Sequence, residues 1–208
     1  MSVLDRLASA QGRRDDVPNQ ELARELAQSR DDEAIRELVA HLHDRDRKIQ
    51  SDCIKTLYEI GYLAPDLIAP YVNDFLALLQ SRNNRLVWGG MIALSTIAHL
   101  QTPVLFEHRQ EIQEAIAMGS VITVDRGIRS LATVAAQDET YRRELFPYLL
   151  AHLQTCRPKD LPARAEVILA AVDDTNRQAF IEALQQRMPD MSPSQARRLR
   201  RVMAAASA

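Results

Sequence analysis

One helical segment recurs along this chain with a period of 37 residues. Each copy contains a leucine that is followed three positions later by a branched aliphatic residue, and the copies align without gaps. The three copies are centred on Leu57, Leu94 and Leu131. A fixed period of this length is typical of stacked helical units, because one unit alone cannot bury its apolar face. The period therefore predicts an all-α repeat protein, although it says little about what the surface of that protein binds.

The segments between the copies predict partner helices, because their apolar residues also recur at helical spacing. No segment alternates with a period of two, so we predict no strands. The pairing predicts an α–α superhelix of about five antiparallel helix pairs. After a first pair near 31–61, the predicted pairs are 67–80 with 85–100, 105–118 with 122–136, 140–155 with 161–172, and 175–188 with 192–206.

Several helix starts carry capping signals. Asp31 or Asp32 precedes the first helix of the first pair, and Ser192 stands before Pro193 at the last helix. Short polar side chains accept hydrogen bonds from the free N–H groups of a first turn, and proline suits that turn. We therefore predict caps at these positions, and a short helix capped by Ser2 that reaches about Ala10. The polar segment 11–18 is then interpreted as a linker.

The composition is that of an average compact protein. The chain has 208 residues and a formal net charge of -2, which predicts no special attraction to nucleic acid or anionic membranes. No apolar run reaches membrane-spanning length, and the N-terminus lacks a signal-peptide core. Cys53 shares a small-residue position of the repeat with Gly90 and Gly127, which favours a packed thiol. We therefore predict a cytoplasmic protein with free thiols.

Two features of the repeat carry a family resemblance. A proline stands within the apolar first helices, as in Leu67-Ile-Ala-Pro70, and the second helix at 93–98 has the form Ala-Leu-x-x-Ile-Ala. With about 37 residues per unit, these features resemble HEAT repeats. The resemblance covers residues 31–172. It implies a single HEAT-like domain over 1–208, in which 1–30 and 173–208 are less regular caps.

The resemblance implies an adaptor or scaffold more than any one activity. HEAT repeats commonly carry an arginine early in the second helix that contributes to a polar ladder. The equivalent positions here are Gln50, Val87 and Val124, so that ladder is absent or replaced. A minority of such proteins bind nucleic acid, and one branch, the HEAT-like alkylpurine DNA glycosylases, is enzymatic.

The second helices of such a solenoid line its concave face, which is the usual binding surface. A helical projection of the copy at 85–98 places Met91, Leu94 and Ile97 on one arc, which we predict to be the core. Gly89 and Ile92 then point away from that core. The 37-residue shift predicts that outward positions of successive second helices form rows of neighbours. One such exposed row is Lys55, Ile92, Arg129 and Glu166.

These rows suggest a partner-binding surface. We predict a protein-binding site centred on Trp88, Arg126 and Arg129, with Lys55 and Glu166 at its edges. Tryptophan and arginine are enriched among residues that dominate binding energy. Trp88 is the only tryptophan, and packing between two helices would also explain it. Both interpretations remain open from the sequence.

Enzymatic alternatives have weaker support. Trp88, Asp125 and Arg126 are a faint version of a glycosylase site, but the chain lacks the surplus of cations that phosphate binding requires. His41 and His43 do not share a helix face and make a poor metal pair. We therefore predict a non-enzymatic scaffold without cofactor or metal, with nucleic-acid binding or glycosylase activity as the alternative. The basic helix around Arg197 is predicted to cap the array, or to dock to an acidic partner.

Overall fold

The computed structural model describes residues 2–207, and this part of the chain is helical with no strand. Short 3₁₀ turns stand at Val3–Arg6, His41–His43, Ala69–Tyr71, Leu169–Ala171 and Met188–Asp190. The α-helices are α1 Val17–Ser29, α2 Asp32–Ala40, α3 Arg47–Leu63, α4 Pro65–Ile68, α5 Val72–Leu78, α6 Asn84–Ile97, α7 Thr102–Glu107, α8 Arg109–Met118, α9 Val121–Gln137, α10 Glu139–Thr155, α11 Leu161–Ile168, α12 Arg177–Arg187 and α13 Pro193–Ala206.

Four of the five predicted second helices are continuous α-helices, and the one predicted at 161–172 consists of α11 and the 3₁₀ turn Leu169–Ala171. Two of the predicted first helices are broken. The segment predicted at 67–80 consists of α4, a 3₁₀ turn and α5, with Pro70 in the turn. The segment predicted at 105–118 is interrupted at His108, between α7 and α8. Pro147, by contrast, lies inside the continuous helix α10. Proline position alone therefore did not determine where these helices break.

Polar caps begin several helices, as the sequence predicted. The side chain of Asp31 accepts a hydrogen bond from the backbone N–H of Ala34. Ser192 and Gln195 form a reciprocal capping box at the start of α13. Ser2 also caps, but the helix that it begins is the single 3₁₀ turn Val3–Arg6 and stops short of the predicted Ala10.

The structure divides into two compact units, Met1–Gly127 and Ile128–Ala208, here called the N-terminal and C-terminal units. The single-domain interpretation of the sequence stays a prediction. The repeat leucines Leu57, Leu94 and Leu131 are completely buried, as predicted. In the N-terminal unit, α3 packs against α1 and α6, and α5 packs against α6. In the C-terminal unit, α10 packs against α12, and α11 packs against α13.

Two adjacent glycines allow close packing on both flanks of α6. A Cβ on Gly90 would lie 3.0 Å from the Cβ of Leu78 and from the carbonyl oxygen of Phe75, so this glycine admits α5. A Cβ on Gly89 would lie 2.7 Å from Cγ1 of Ile54 on α3. The prediction that Gly89 points away from the core is therefore wrong. A second helix packs on the preceding second helix as well as on its own partner, so both flanks are covered.

The C-terminal unit ends with the predicted amphipathic helix. Leu199 and Val202 of α13 are buried, whereas Met203 is half-buried and Arg197 is exposed. The helix α12 is joined to the end of α10 by Arg187. Its guanidinium donates hydrogen bonds to the carbonyl oxygens of Leu153, Gln154 and Cys156 at 2.8, 2.8 and 2.9 Å.

Candidate partner-binding site

Three aromatic side chains of the N-terminal unit gather where α3 lies beside α6. Tyr58 and Tyr62 are four positions apart on α3 and therefore share one face of that helix. Their ring centroids are 6.2 Å apart with an interplanar angle of 78°, an edge-to-face arrangement. The ring of Trp88 on α6 lies 6.2 Å from that of Tyr58 at 53°. These three rings, here called the aromatic cluster, lie at separations at which ring pairs attract.

A cation lies over each ring of the aromatic cluster. The distances from the cation to the ring centroid are 4.9 Å for Lys55 over Tyr58, 5.8 Å for Arg85 over Trp88 and 5.7 Å for Arg126 over Tyr62. At such distances the face of the ring attracts the positive charge. Arg126 comes from α9, so residues of three second helices, α3, α6 and α9, meet at this site.

The aromatic cluster is anchored at one end and open at the other. Tyr58 is 6 % exposed, and burial raises the pKa of its phenol. Trp88 is half-buried. Tyr62 is 47 % exposed and its neighbour Leu63 is 55 % exposed, so apolar surface faces solvent at this end. Trp88 therefore packs against another ring and is still accessible, which combines the two interpretations that the sequence left open.

The expectation that Lys55 and Ile92 belong to an exposed row is wrong. Lys55 is 7 % exposed and Ile92 is 6 % exposed. The ammonium of Lys55 lies 2.6 Å from Glu59 and 3.7 Å from Asp16. Burial lowers the pKa of Lys55, but its hydrogen bond to Glu59 helps to raise the pKa above the ordinary value. Lys55 therefore contacts the aromatic cluster from its buried side, at Tyr58. Its position is covered because helices pack on both sides of α3.

The other two predicted residues lie in the C-terminal unit. Arg129 of α9 and Glu166 of α11 are both exposed, as predicted. Both carboxylate oxygens of Glu166 accept hydrogen bonds from Arg198 of α13 at 2.5 Å, and this contact lowers the pKa of Glu166. The role of Arg129 and Glu166 in partner binding stays a prediction.

An open cleft of about 600 Å³ lies in the N-terminal unit beside the aromatic cluster. One wall comes from residues 8–16, which follow the first 3₁₀ turn, and the other comes from the first two turns of α3 and the first turn of α6. We call it the basic cleft. Its lining residues are Ala8, Ser9, Gly12, Arg13, Arg14, Asp15, Asp16, Arg47, Lys48, Ser51, Asp52 and Arg85.

Groups of this chain already engage the three acidic residues of the basic cleft. The carboxylate oxygens of Asp52 accept hydrogen bonds from the backbone N–H of Ser9 and from Nδ2 of Asn19, both at 2.8 Å. The other two carboxylates pair with cations, Asp15 with Arg13 at 2.9 Å, and Asp16 with Lys55 at 3.7 Å and Arg85 at 3.5 Å. Two of the three carboxylates are thus paired with cations of the protein, and the carboxylate of Asp52 accepts hydrogen bonds from neutral donors.

Sequence analysis missed Tyr58, Tyr62 and Arg85, although part of the signal was present. Two tyrosines four positions apart mark an aromatic face on α3, and Arg85 stands one helical turn before Trp88. The polar segment 11–18 was interpreted only as a linker. Its contribution to the basic cleft depends on contacts across long sequence separations, such as that between Ser9 and Asp52.

The cysteines and the possible metal ligands are the remaining groups that could carry chemistry. Cys53 and Cys156 are free and buried, as predicted for Cys53, and burial raises the pKa of the Cys53 thiol to about 12. Among residues 2–207, no group of three His, Cys, Asp or Glu side chains is placed to hold a metal ion. Within the same range, the helices lack the length and apolar character needed to cross a membrane.

No protein-family model matches this sequence, and no curated protein matches it. Solved structures match its fold. A designed armadillo repeat protein in complex with the peptide (KR)4 aligns with a TM-score of 0.71 at 15 % identity, over 90 % of this chain and 86 % of that chain. Computationally designed armadillo repeat proteins for modular peptide recognition align with a TM-score of 0.67 at 16 % identity, over 98 % of each chain.

An engineered protein also aligns with a TM-score of 0.67 at 19 % identity, over 99 % of each chain. Identities this low establish the fold alone. Armadillo and HEAT repeats both stack helix pairs into solenoids. The comparisons therefore show that this chain has the all-α solenoid repeat fold.

Proposed function

We propose that this chain is a non-enzymatic, cytoplasmic interaction scaffold of the HEAT type that binds a segment of a partner protein. The observation that carries the proposal is the aromatic cluster with its three cations on the second-helix face of the N-terminal unit. Aromatic and arginine side chains in one half-buried patch are the residue types that dominate binding energy at protein interfaces. The whole chain, 1–208, is then one repeat domain with less regular ends.

The form of the aromatic cluster suits a binding surface. Tyr58 is buried and holds the neighbouring rings in place, so little side-chain entropy remains to be lost when a partner binds. Tyr62 and Leu63 offer accessible apolar area beside the guanidinium of Arg126. An apolar centre next to charged donors is the usual composition of an interface patch.

The solved structures of similar fold favour a protein partner. Two of them are designed armadillo repeat proteins, one in complex with a peptide and one made for modular peptide recognition. The peptide of the first is (KR)4, which is basic. The cations over the aromatic cluster here would repel such a peptide, so we propose that this chain recognises a segment of different charge.

The proposed surface differs in detail from the one that the sequence predicted. Trp88 and Arg126 remain at its centre, Tyr62 joins them, and Lys55 supports them from beneath. Arg129 and Glu166 are proposed as a separate contribution from the C-terminal unit, because both are exposed. Their contribution is tested independently with the variant Arg129→Glu/Glu166→Gln.

The test begins with an affinity pull-down from native cytosol, followed by purification of the captured partner and calorimetry with both pure proteins. The test variant is Tyr62→Ala/Arg126→Glu, because an exposed tyrosine can be truncated without opening the core. We expect it to weaken the Kd at least about tenfold, as hot-spot residues do. The control Leu100→Ala/Arg82→Glu makes similar changes at exposed positions away from the cluster. An unchanged Kd in the test variant would contradict the proposal.

A further inference from the structure

The basic cleft contains cations that this chain does not neutralise. Arg14, Arg47 and Lys48 line the cleft, and none of the three forms an ion pair with any residue in the range 2–207. All three side chains are exposed. Since the acidic residues of the lining are engaged by other groups, the cleft presents a local excess of positive charge on a chain whose net charge is -2.

Two of these cations stand where the helix itself disfavours them. Arg47 and Lys48 occupy the first turn of α3, directly after the capping residue Asp46. The amino end of a helix carries partial positive charge, so cations in the first turn are unfavourable and anions are favourable. The carboxylate of Asp46 caps the backbone N–H of Lys48 and offsets part of this effect. An anionic ligand in the cleft would be attracted both by the charges of Arg47 and Lys48 and by the partial positive charge at the amino end of α3.

The basic cleft is continuous with the aromatic cluster. Arg85 lines the cleft, and its guanidinium also lies 5.8 Å from the centroid of Trp88. Asp16 lines the same cleft and pairs with both Arg85 and Lys55. The cleft is therefore the surface next to any partner segment that is bound on the aromatic cluster.

We infer that the partner segment is acidic, and that its carboxylate side chains bind in the basic cleft to Arg14, Arg47 and Lys48. This inference rests on the proposed function, since it assigns the charge of the same segment whose apolar part binds the aromatic cluster. The excess of cations attracts carboxylates and excludes basic peptides, so the cleft sets specificity by charge. The open cleft of about 600 Å³ can hold several carboxylate side chains.

An acidic protein segment fits this surface better than a nucleic-acid strand does. A nucleic-acid strand carries a phosphate on every nucleotide, so it requires a continuous basic track. Here the carboxylates of Asp16 and Glu59 pair with Lys55, whose ammonium lies over Tyr58, and Asp16 also lines the cleft, so acidic groups interrupt the basic surface. A peptide can place acidic side chains in the cleft and uncharged side chains on the rings.

The experiment uses the whole chain and a fluorescein-labelled octaglutamate peptide as the probe, with fluorescence anisotropy as the readout at low salt. Trp88 is the only tryptophan of the chain, so its emission reports binding beside Arg85 directly. We expect octaglutamate to bind and to change that emission, and octalysine to do neither. The variant Arg47→Gln/Lys48→Gln should weaken binding about tenfold, from the loss of two charge contacts.

Matched variants control for net charge and for folding. The variant Arg24→Gln/Arg36→Gln removes the same charge from exposed positions of α1 and α2 outside the cleft, and should bind the probe like the unaltered protein. The single variant Arg14→Gln tests the opposite wall of the cleft without altering a helix, and should weaken binding about threefold.

Three results would overturn the inference. The first is no binding of octaglutamate, and the second is equal binding by the Arg47→Gln/Lys48→Gln variant and the unaltered protein. The third is a single-stranded oligonucleotide of equal charge that binds more tightly than the peptide. Failure of the proposed function would be a different result, namely a natural partner whose Kd is unchanged by Tyr62→Ala/Arg126→Glu.

Discussion

Gly89 of α6 lies directly against Ile54 of α3, and a Cβ at position 89 would stand 2.7 Å from Cγ1 and 3.1 Å from Cγ2 of that isoleucine. Both atoms are bonded to the Cβ of Ile54, so they cannot swing aside as the end of a long side chain could. The spacing between these two helices therefore depends on the absence of a side chain at position 89. This relationship also holds Trp88, the preceding residue, beside Tyr58.

The substitution Gly89→Ala is predicted to destabilise the protein. Overpacking costs about 1–3 kcal/mol, whereas replacing a glycine by alanine within a helix recovers up to about 1 kcal/mol. Because the contact is close, we expect a net loss of about 1–2 kcal/mol in the free energy of unfolding, measured by urea denaturation. In an Ile54→Ala background the same change should cost nothing, because the opposing atoms are gone. An equal cost in both backgrounds would show that the contact is not responsible.

Arg187 is predicted to stabilise the C-terminal unit through its three hydrogen bonds to carbonyl oxygens at and beyond the end of α10. The substitution Arg187→Ala leaves these partly buried acceptors without their donor, which should lower the free energy of unfolding by about 2–4 kcal/mol. Arg187→Lys should recover only part of the loss, since an ammonium lacks the planar fork. The exposed Arg197→Ala is the control, and equal midpoints for the two alanine variants in urea would contradict the prediction.

The thiol of Cys53 is predicted to be unreactive in the folded protein. Burial raises its pKa to about 12 from an ordinary 9.0, so the nucleophilic thiolate is scarce at pH 8. We expect a chromogenic disulfide reagent to label neither cysteine in the native protein and to label both in guanidinium chloride. Rapid labelling of native Cys53→Ala would locate reactivity at Cys156, and labelling of native Cys156→Ala would contradict the prediction for Cys53.

The same shift predicts a pH dependence of stability. Between pH 9 and about 12 the unfolded thiol has lost its proton while the folded thiol still holds one, so the folded state binds more protons. The free energy of unfolding should therefore fall as the pH rises through this interval. In the Cys53→Ala variant, whose side chain fits the position shared with Gly90, the decline should be shallower in urea titrations. An identical slope in both proteins would be the contradicting result.

The first 3₁₀ turn is predicted to detach in acid. Glu37 accepts hydrogen bonds from Oγ of Ser2 at 2.5 Å and from the backbone N–H of Val3 at 3.1 Å, and these bonds lower its pKa. A lowered pKa gives stability that is complete above the ordinary value of 4.5 and is lost as the pH falls through the folded value. The amide proton of Val3, followed by NMR, should shift with a midpoint below 4.5.

Two variants check the origin of that transition. Glu37→Gln should remove the pH dependence of the Val3 amide, because an amide side chain does not titrate. Glu33→Gln, a change at an exposed position one turn earlier on α2, should leave it unaltered. A transition that survives in Glu37→Gln would have to come from another carboxylate.

Much of the fold could be predicted from the sequence because its signals are local. Apolar spacing identified the helices, and the capping residues Asp31 and Ser192 located the starts of α2 and α13. The breaks in the first helices, at Ala69–Tyr71 and at His108, were not predicted. A helix break is decided by how the two parts pack, and Pro147 shows that a proline can stand inside a continuous helix.

The candidate site could be predicted only in part. Trp88 and Arg126 were recognised by residue type, yet the tyrosine rings beside them come from α3, one repeat before Trp88 and two repeats before Arg126. Lys55 was placed on the exposed side because the helical projection treated each helix in isolation. In the structure, ion pairs with Glu59 and Asp16 accompany its burial.

The sequence by itself determined the helical repeat and the residues of its core, because helix formation and amphipathic spacing are properties of contiguous residues. Only the tertiary structure decided which flank of each helix stays open. That choice depends on contacts between distant residues, such as Gly89 with Ile54 and Ser9 with Asp52, which bring the aromatic cluster together and form the basic cleft. Periodicity carries no information about these contacts, since it describes one helix at a time.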